Sequence, residues 1–159
     1  MMPDSSTPEE AALFNPAFMG LLVAASARDY EKTAQREMPF VLAFLVPPIA
    51  LDSETRTRLP GAVSALLSTW VLANPLIQSG FADRAKAMAP LVREGLRYAI
   101  RSDAVRLTGE GIHCVIRRTK FQQGTEDTRD CLKAAAFAAR WFARTGDTAT
   151  IFALLGVRP

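Results

Sequence analysis

The chain has 159 residues, 49% of them hydrophobic and 22% charged, with a formal net charge of +3. That composition excludes a disordered tail, and the length suits one domain burying roughly two thirds of its unfolded surface. Two cysteines, Cys114 and Cys131, are too few for a disulfide scaffold, and the one histidine, His113, offers no usual set of metal ligands.

No cationic leader precedes a short apolar stretch, so no secretory signal is expected. With few cysteines, a reducing, cytoplasmic setting is expected instead, and no cofactor is. Charge is unevenly spread. Residues 1–79 hold 5 Lys/Arg against 8 Asp/Glu, a net −3, while residues 80–159 hold 14 against 8, a net +6. The second half therefore suits an acidic partner or a nucleic-acid backbone.

In chain order, Met1–Ser6 are polar, lack periodicity and read as a flexible N-terminus. Thr7 caps a short helix, Pro8–Phe14, with Glu9 and Glu10 in its first turn. Asn15-Pro16 repeats the signature and starts a longer helix, Pro16–Thr33. Its apolar face is Phe18, Leu21, Leu22 and Ala25, and its end carries Arg28, Asp29, Glu31 and Lys32 to solvent.

Met38–Leu51 is apolar throughout and reads as shielded from water on all sides. Each buried Phe, Leu or Val there contributes roughly 1.5–3 kcal/mol. A membrane span needs about 20 apolar residues, more than this run offers, and prolines interrupt it. The expectation is a buried helix, Phe40–Val46, ended by Pro47-Pro48, then a second apolar patch at Ile49–Leu51.

Asp52 or Ser53 caps a polar turn, Glu54–Arg58, closed by Leu59-Pro60-Gly61. A helix over Ala62–Ala73 buries Val63, Leu66, Leu67, Trp70 and Val71 and ends at Asn74-Pro75. Its other side, Ser64, Ser68 and Thr69, is small and uncharged, which hints at a packed partner. Phe81–Arg101 is strongly amphipathic: Phe81, Ala85, Met88, Leu91, Val92, Gly95 and Ala99 share one arc, and Lys86, Arg93, Arg97 and Arg101 another. Pro90 is expected to kink or split it near Ala87–Ala89.

The period then changes. Val105–Leu107 and Ile112–Ile116 read as strands of a hairpin turned by Thr108-Gly109-Glu110-Gly111. Arg106 lies within it, and Arg117, Arg118 and Lys120 follow. Two helices and a basic hairpin across residues 61–120 give the order of a winged helix-turn-helix. Thr125 caps a helix through Arg144, with Leu132, Ala135, Ala139, Phe142 and Ala143 on one side and Arg129, Lys133, Arg140 and Arg144 on the other. After Gly146, Asp147 or Thr148 recaps an apolar helix, Ala149–Leu155, that docks against the chain's own core or a partner's. The fold class expected is mainly α with one β-hairpin: a single domain over 1–159, with a winged helix-turn-helix-like unit and C-terminal helices over 125–159.

No catalytic constellation emerges. His113 and Cys114 are adjacent on a strand and point to opposite faces, so they form no nucleophile–base pair. Cys131 reads as a buried helix residue. Asp52/Glu54 and Glu126/Asp127 read as caps, and Gly109 and Gly111 lie in a hairpin where no phosphate loop belongs. The residues favour an interaction module over an enzyme. A winged-helix DNA binder or transcriptional regulator is the alternative, although Phe81–Arg101 has few side chains suited to reading base edges.

Four stretches taken together resemble one family: LFNPAFMGLLVAASARDY, MPFVLAFLVPPIALDSETRTRLP, FADRAKAMAPLVREGLRYAI and ARWFARTGDTATIFALLGVRP. They are similar to the middle component of bacterial three-component ABC systems, across most of the chain and in the same order. The resemblance implies a small non-enzymatic subunit encoded beside an SMC/Rad50-like ABC ATPase and a larger effector protein, in a system acting against phage or other invading DNA. It implies no catalytic residues. On this reading Ser64, Ser68 and Thr69 meet a protein partner, together with Ile151, Phe152 and Leu155 near the end of the chain. Arg93, Arg97, Arg101, Arg106, Arg117, Arg118 and Lys120 meet an acidic surface or DNA.

Overall fold

In the computed structural model, which describes residues 15–117 and 124–158, the chain winds around one helix, α1 (Pro16–Ala34). The Asn15 side chain caps it, accepting from the backbone N–H groups of Ala17 and Phe18 at 3.0 and 3.3 Å. Pro16 fills the first helical position, where a missing N–H costs nothing. The expected apolar stripe proves too narrow. Met19, Leu22, Val23, Ala24, Ala27 and Tyr30 are all buried, and a helix apolar nearly all round belongs in a core.

Its main neighbours are α5 (Pro75–Arg101) and α6 (Glu126–Thr145). Gly20 of α1 meets Gly95 of α5 at the crossing. A Cβ on Gly20 would lie 2.9 Å from the Gly95 carbonyl oxygen, so the two backbones touch with no side chain between them. On the other side, Arg140 of α6 donates to Asp29 of α1 at 2.7 Å.

The apolar run is built differently from the expected single helix. Phe40–Phe44 is a 3-10 turn, and α2 (Val46–Ala50) follows it. Pro47-Pro48 sits in the first turn of α2 and so opens a helix where it was expected to close one. Leu42, Ala43, Leu45, Val46, Ile49 and Leu51 are buried, but Phe40 and Val41 face outward, so the run is not shielded on all sides. The polar turn is α3 (Ser53–Thr57), capped by Asp52, which accepts from the Thr55 N–H at 3.0 Å.

The helix expected over Ala62–Ala73 starts five residues late, as α4 (Leu67–Ala73). Two tryptophans hold the preceding segment out of helical form. Trp141 Nε1 donates to the Ala65 carbonyl at 2.6 Å and Trp70 Nε1 to the Arg58 carbonyl at 2.7 Å. Their rings pack edge to face at 5.4 Å. Only Asn74 separates α4 from α5, because Pro75 begins the next helix at once. α5 continues as one helix through Pro90, so the split expected there does not occur. Pro90 faces solvent, so the carbonyl it leaves without a partner can take water.

A short antiparallel hairpin joins β1 (Val105–Leu107) to β2 (Ile112–Cys114), two residues shorter than expected at its second strand. It lies against α1 and α5. Met38 extends it by one bridge, accepting from the Ile112 N–H at 2.8 Å. A Cβ on Gly111 would lie 2.1 Å from the Met38 carbonyl oxygen, so this approach requires glycine. The succession of two helices and a hairpin is present, though with a seven-residue first helix and a one-residue joint. The architecture is mainly α with one hairpin.

Thr125 caps α6, as expected, and Asp147 caps α7 (Thr148–Leu155) by accepting from the Thr150 N–H at 2.8 Å. That hydrogen bond holds the Asp147 carboxyl below the usual carboxylate range. α7 is the segment expected to dock, and it buries Ile151, Phe152 and Leu155 in the chain's own core. The expected N-terminal helix Pro8–Phe14, the stretch Met1–Ser6, and Arg118 and Lys120 lie outside the described residues. No helix among the described residues is long and apolar enough to cross a membrane.

Candidate protein-docking surface

From Leu59 to Ala82 the sequence contains no charged side chain. A run of this kind is ordinarily buried. The structure instead turns much of it outward, because α4 has only one inward edge, Leu67 and Trp70. Ser68, Thr69 and Leu72 then face solvent, and Ile77 plays the inward part at the start of α5 while Leu76 faces out. Leu66, Leu72 and Leu76 are 67%, 82% and 84% exposed. Single exposed leucines are ordinary on a soluble protein. Three of them within a stretch lacking any charge make it the candidate for contact with a partner.

The residues expected to meet a protein partner divide. Ser64, Ser68 and Thr69 are exposed on this surface. Ile151, Phe152 and Leu155 are buried, because α7 spends that face on the core, and of the three Phe152 alone lines a groove. Its other side reaches the surface instead: Thr150 and Leu154 share a cleft of about 340 Å³ with Val63, Ser64, Leu66 and Ser68, and Arg144 of α6 lines it as well. Leu66, Leu72 and Leu76 were missed as site residues, and the absence of charge around them was the available signal. The Trp70–Trp141 pair and its hydrogen bonds to the Arg58 and Ala65 carbonyls tie the start of this stretch to α6.

The cationic residues are spread more widely. On α5, helical spacing puts Lys86, Arg93 and Arg97 within about 40° of one another. Arg93 lies over the Phe44 ring at 5.8 Å, and Arg97 pairs with Glu94 at 2.5 Å. Arg101 is exposed in the last turn of α5, Arg106 faces out from β1 opposite His113, and Arg117 is exposed beyond β2.

Among the described residues the reactive side chains do not converge on a common site. His113 Nδ1 meets Glu31 of α1 at 3.0 Å, while the Cys114 thiol points to the Ile116 carbonyl at 3.6 Å. Burial pushes the Cys114 thiol above its ordinary pKa, which disfavours the nucleophilic thiolate. Cys131 is buried. Among the described residues no group of three His, Cys, Asp or Glu side chains is placed to hold a metal ion. In the folded protein, alkylation of Cys114 by iodoacetamide is expected to be slow at neutral pH and to accelerate only in alkaline buffer. Mass spectrometry of timed samples checks this, and rapid modification near pH 7 would revive a reactive cysteine.

No curated protein and no solved structure matches the chain. A family model does match, over residues 4–159, and its description is ABC-three component (ABC-3C) system Middle Component 3. With nearly the whole length covered, the chain belongs to the Middle Component 3 family of ABC-three component systems.

Proposed function

We propose that this middle component is a non-catalytic adaptor bridging the ABC ATPase and the effector protein of its system. The observation that carries this reading is the exposure of Leu66, Leu72 and Leu76 within Leu59–Ala82, a stretch of the sequence without a charged residue. Water contact with that much apolar side chain is unfavourable, and a partner from the same system removes it. Both partners are encoded nearby on this reading, the ATPase being SMC/Rad50-like. The assembly works in the cytoplasm, in defence against phage or other invading DNA.

Co-expression of the three components, followed by affinity capture of this chain, is the direct test. The complex is expected to survive washing at about 0.5 M salt, where charge contacts are screened within a few ångströms but apolar burial persists. A chain that elutes alone under low and high salt refutes the adaptor.

A second reading draws on Arg97, Arg101, Arg106 and Arg117, which are all exposed. With Arg118 and Lys120 they meet an acidic protein surface or a nucleic-acid backbone, the latter being what a winged-helix regulator would need. A DNA complex would weaken steeply and log-linearly with salt, whereas the apolar contact would not. Sequence-selective binding to an operator by the isolated chain would favour the regulator over the adaptor.

A further inference from the structure

A second surface lies farther along α5, with chemistry unlike that of the first. Between the 3-10 turn, the middle of α5 and the end of the chain is a groove of about 640 Å³. Phe44, Phe152, Val157 and Ala89 give it an apolar lining. Lys86, Arg93 and Arg158 stand around it, with Asp83 as the sole acid among its lining residues. Among the described residues neither Lys86 nor Arg158 is within ion-pair distance of a carboxylate. Arg93 rests over the Phe44 ring, a stance that leaves guanidinium N–H groups for a carboxylate.

We propose that this groove receives a peptide segment of a second system component, one carrying acidic side chains around one or two large apolar ones. The apolar lining takes the large side chain, as pockets for anchor residues do. The cations take the carboxylates, fixing register and rejecting basic segments. A nucleic-acid backbone would use the cations but leave the Phe44, Phe152 and Val157 lining without an occupant. The proposal rests on the adaptor reading and deepens it. Leu76 and Arg93 are separated by roughly 25 Å along α5 at about 1.5 Å per residue, while Leu154 of the first surface and Gly156 of the groove are two residues apart, so two partners bound at once would meet near the end of α7.

The test uses the full chain co-expressed with the other two components. A benzoylphenylalanine photo-crosslinker replaces Ala89, and a second preparation carries it at Leu72 as a reference on the first surface. The crosslinked peptide is then mapped by mass spectrometry. The Ala89 position is expected to capture a net-negative segment with a large apolar residue. Adding Lys86→Glu with Arg93→Glu should lower that yield at least about tenfold by placing like charges together, with the Leu72 crosslink and the thermal midpoint unchanged. If the components assemble and Leu72 crosslinks but Ala89 captures nothing, nucleic acid, a second copy of this chain or a segment without acids, the groove proposal is overturned and the adaptor stands. If no complex forms at all, both fall together.

Discussion

Replacing Gly95 with leucine is expected to destabilise the fold by more than about 3 kcal/mol, a large share of the roughly 5–15 kcal/mol that holds a domain. The position looks harmless on a helical wheel, and leucine gains close to 1 kcal/mol over glycine in intrinsic helix propensity. The crossing with α1 overrides that gain. A Cβ at Gly95 would sit 2.4 Å from Met19 Cγ, 2.7 Å from Met19 Cβ and 3.1 Å from the Gly20 backbone nitrogen. Met19 is buried and cannot swing into solvent, and the Gly20 backbone belongs to the central helix. Relief therefore needs α1 and α5 to separate, which also disturbs the α1–α6 contact. Gly80 supplies the control on the same helix: nothing lies within 4 Å of a Cβ there, so Gly80→Ala should stabilise by about 0.5–1 kcal/mol. Urea midpoints of the two variants decide the matter. Similar midpoints would mean that the helices do not cross as closely as described.

That crossing shows what kind of information the sequence carries openly. Gly95 falls in the apolar arc of its helix, but nothing nearby in the chain says that its partner is Gly20. Caps are legible because they act across three residues: Asn15, Asp52, Thr125 and Asp147 all serve helices where expected. Prolines are legible but two-sided. Pro47-Pro48 and Asn74-Pro75 each read as a stop, yet each also begins a helix, because a proline ends the helix before it and suits the first turn of the helix after it.

The late start of α4 has no local cause, since the Ala65 carbonyl is claimed by Trp141 from a distant helix. The docking surface is half visible for a related reason. Ser64, Ser68 and Thr69 stand out as small and uncharged, whereas Leu66 reads as core because apolar patterning cannot separate a residue buried by its own fold from one waiting for a partner. The same ambiguity covers Ile151, Phe152 and Leu155, which read as docking on the chain's own core or a partner's and are buried in its own.

Pairing Leu72→Lys with Leu76→Asp is expected to release the component held at Leu66, Leu72 and Leu76 while leaving this chain folded. Both leucines are more than four-fifths exposed, so the free protein loses little packing, and surface changes of this kind usually fall within about 0.5 kcal/mol. The charges are placed to suit the helices. Leu72 is in the last turn of α4, where a cation is favoured, and Leu76 is in the first turn of α5, where an anion is.

In the complex the balance reverses. Each leucine gives up roughly 1.5–3 kcal/mol of burial, and each new charge must shed its water without a partner waiting. A combined loss of about 4 kcal/mol or more corresponds to roughly a thousandfold in affinity. Size-exclusion chromatography of the co-expressed components reads the loss, and a thermal melt of the isolated variant shows whether folding survived. An intact complex carrying this pair would show that the face of Leu66, Leu72 and Leu76 is idle, and that whatever this subunit binds is held elsewhere.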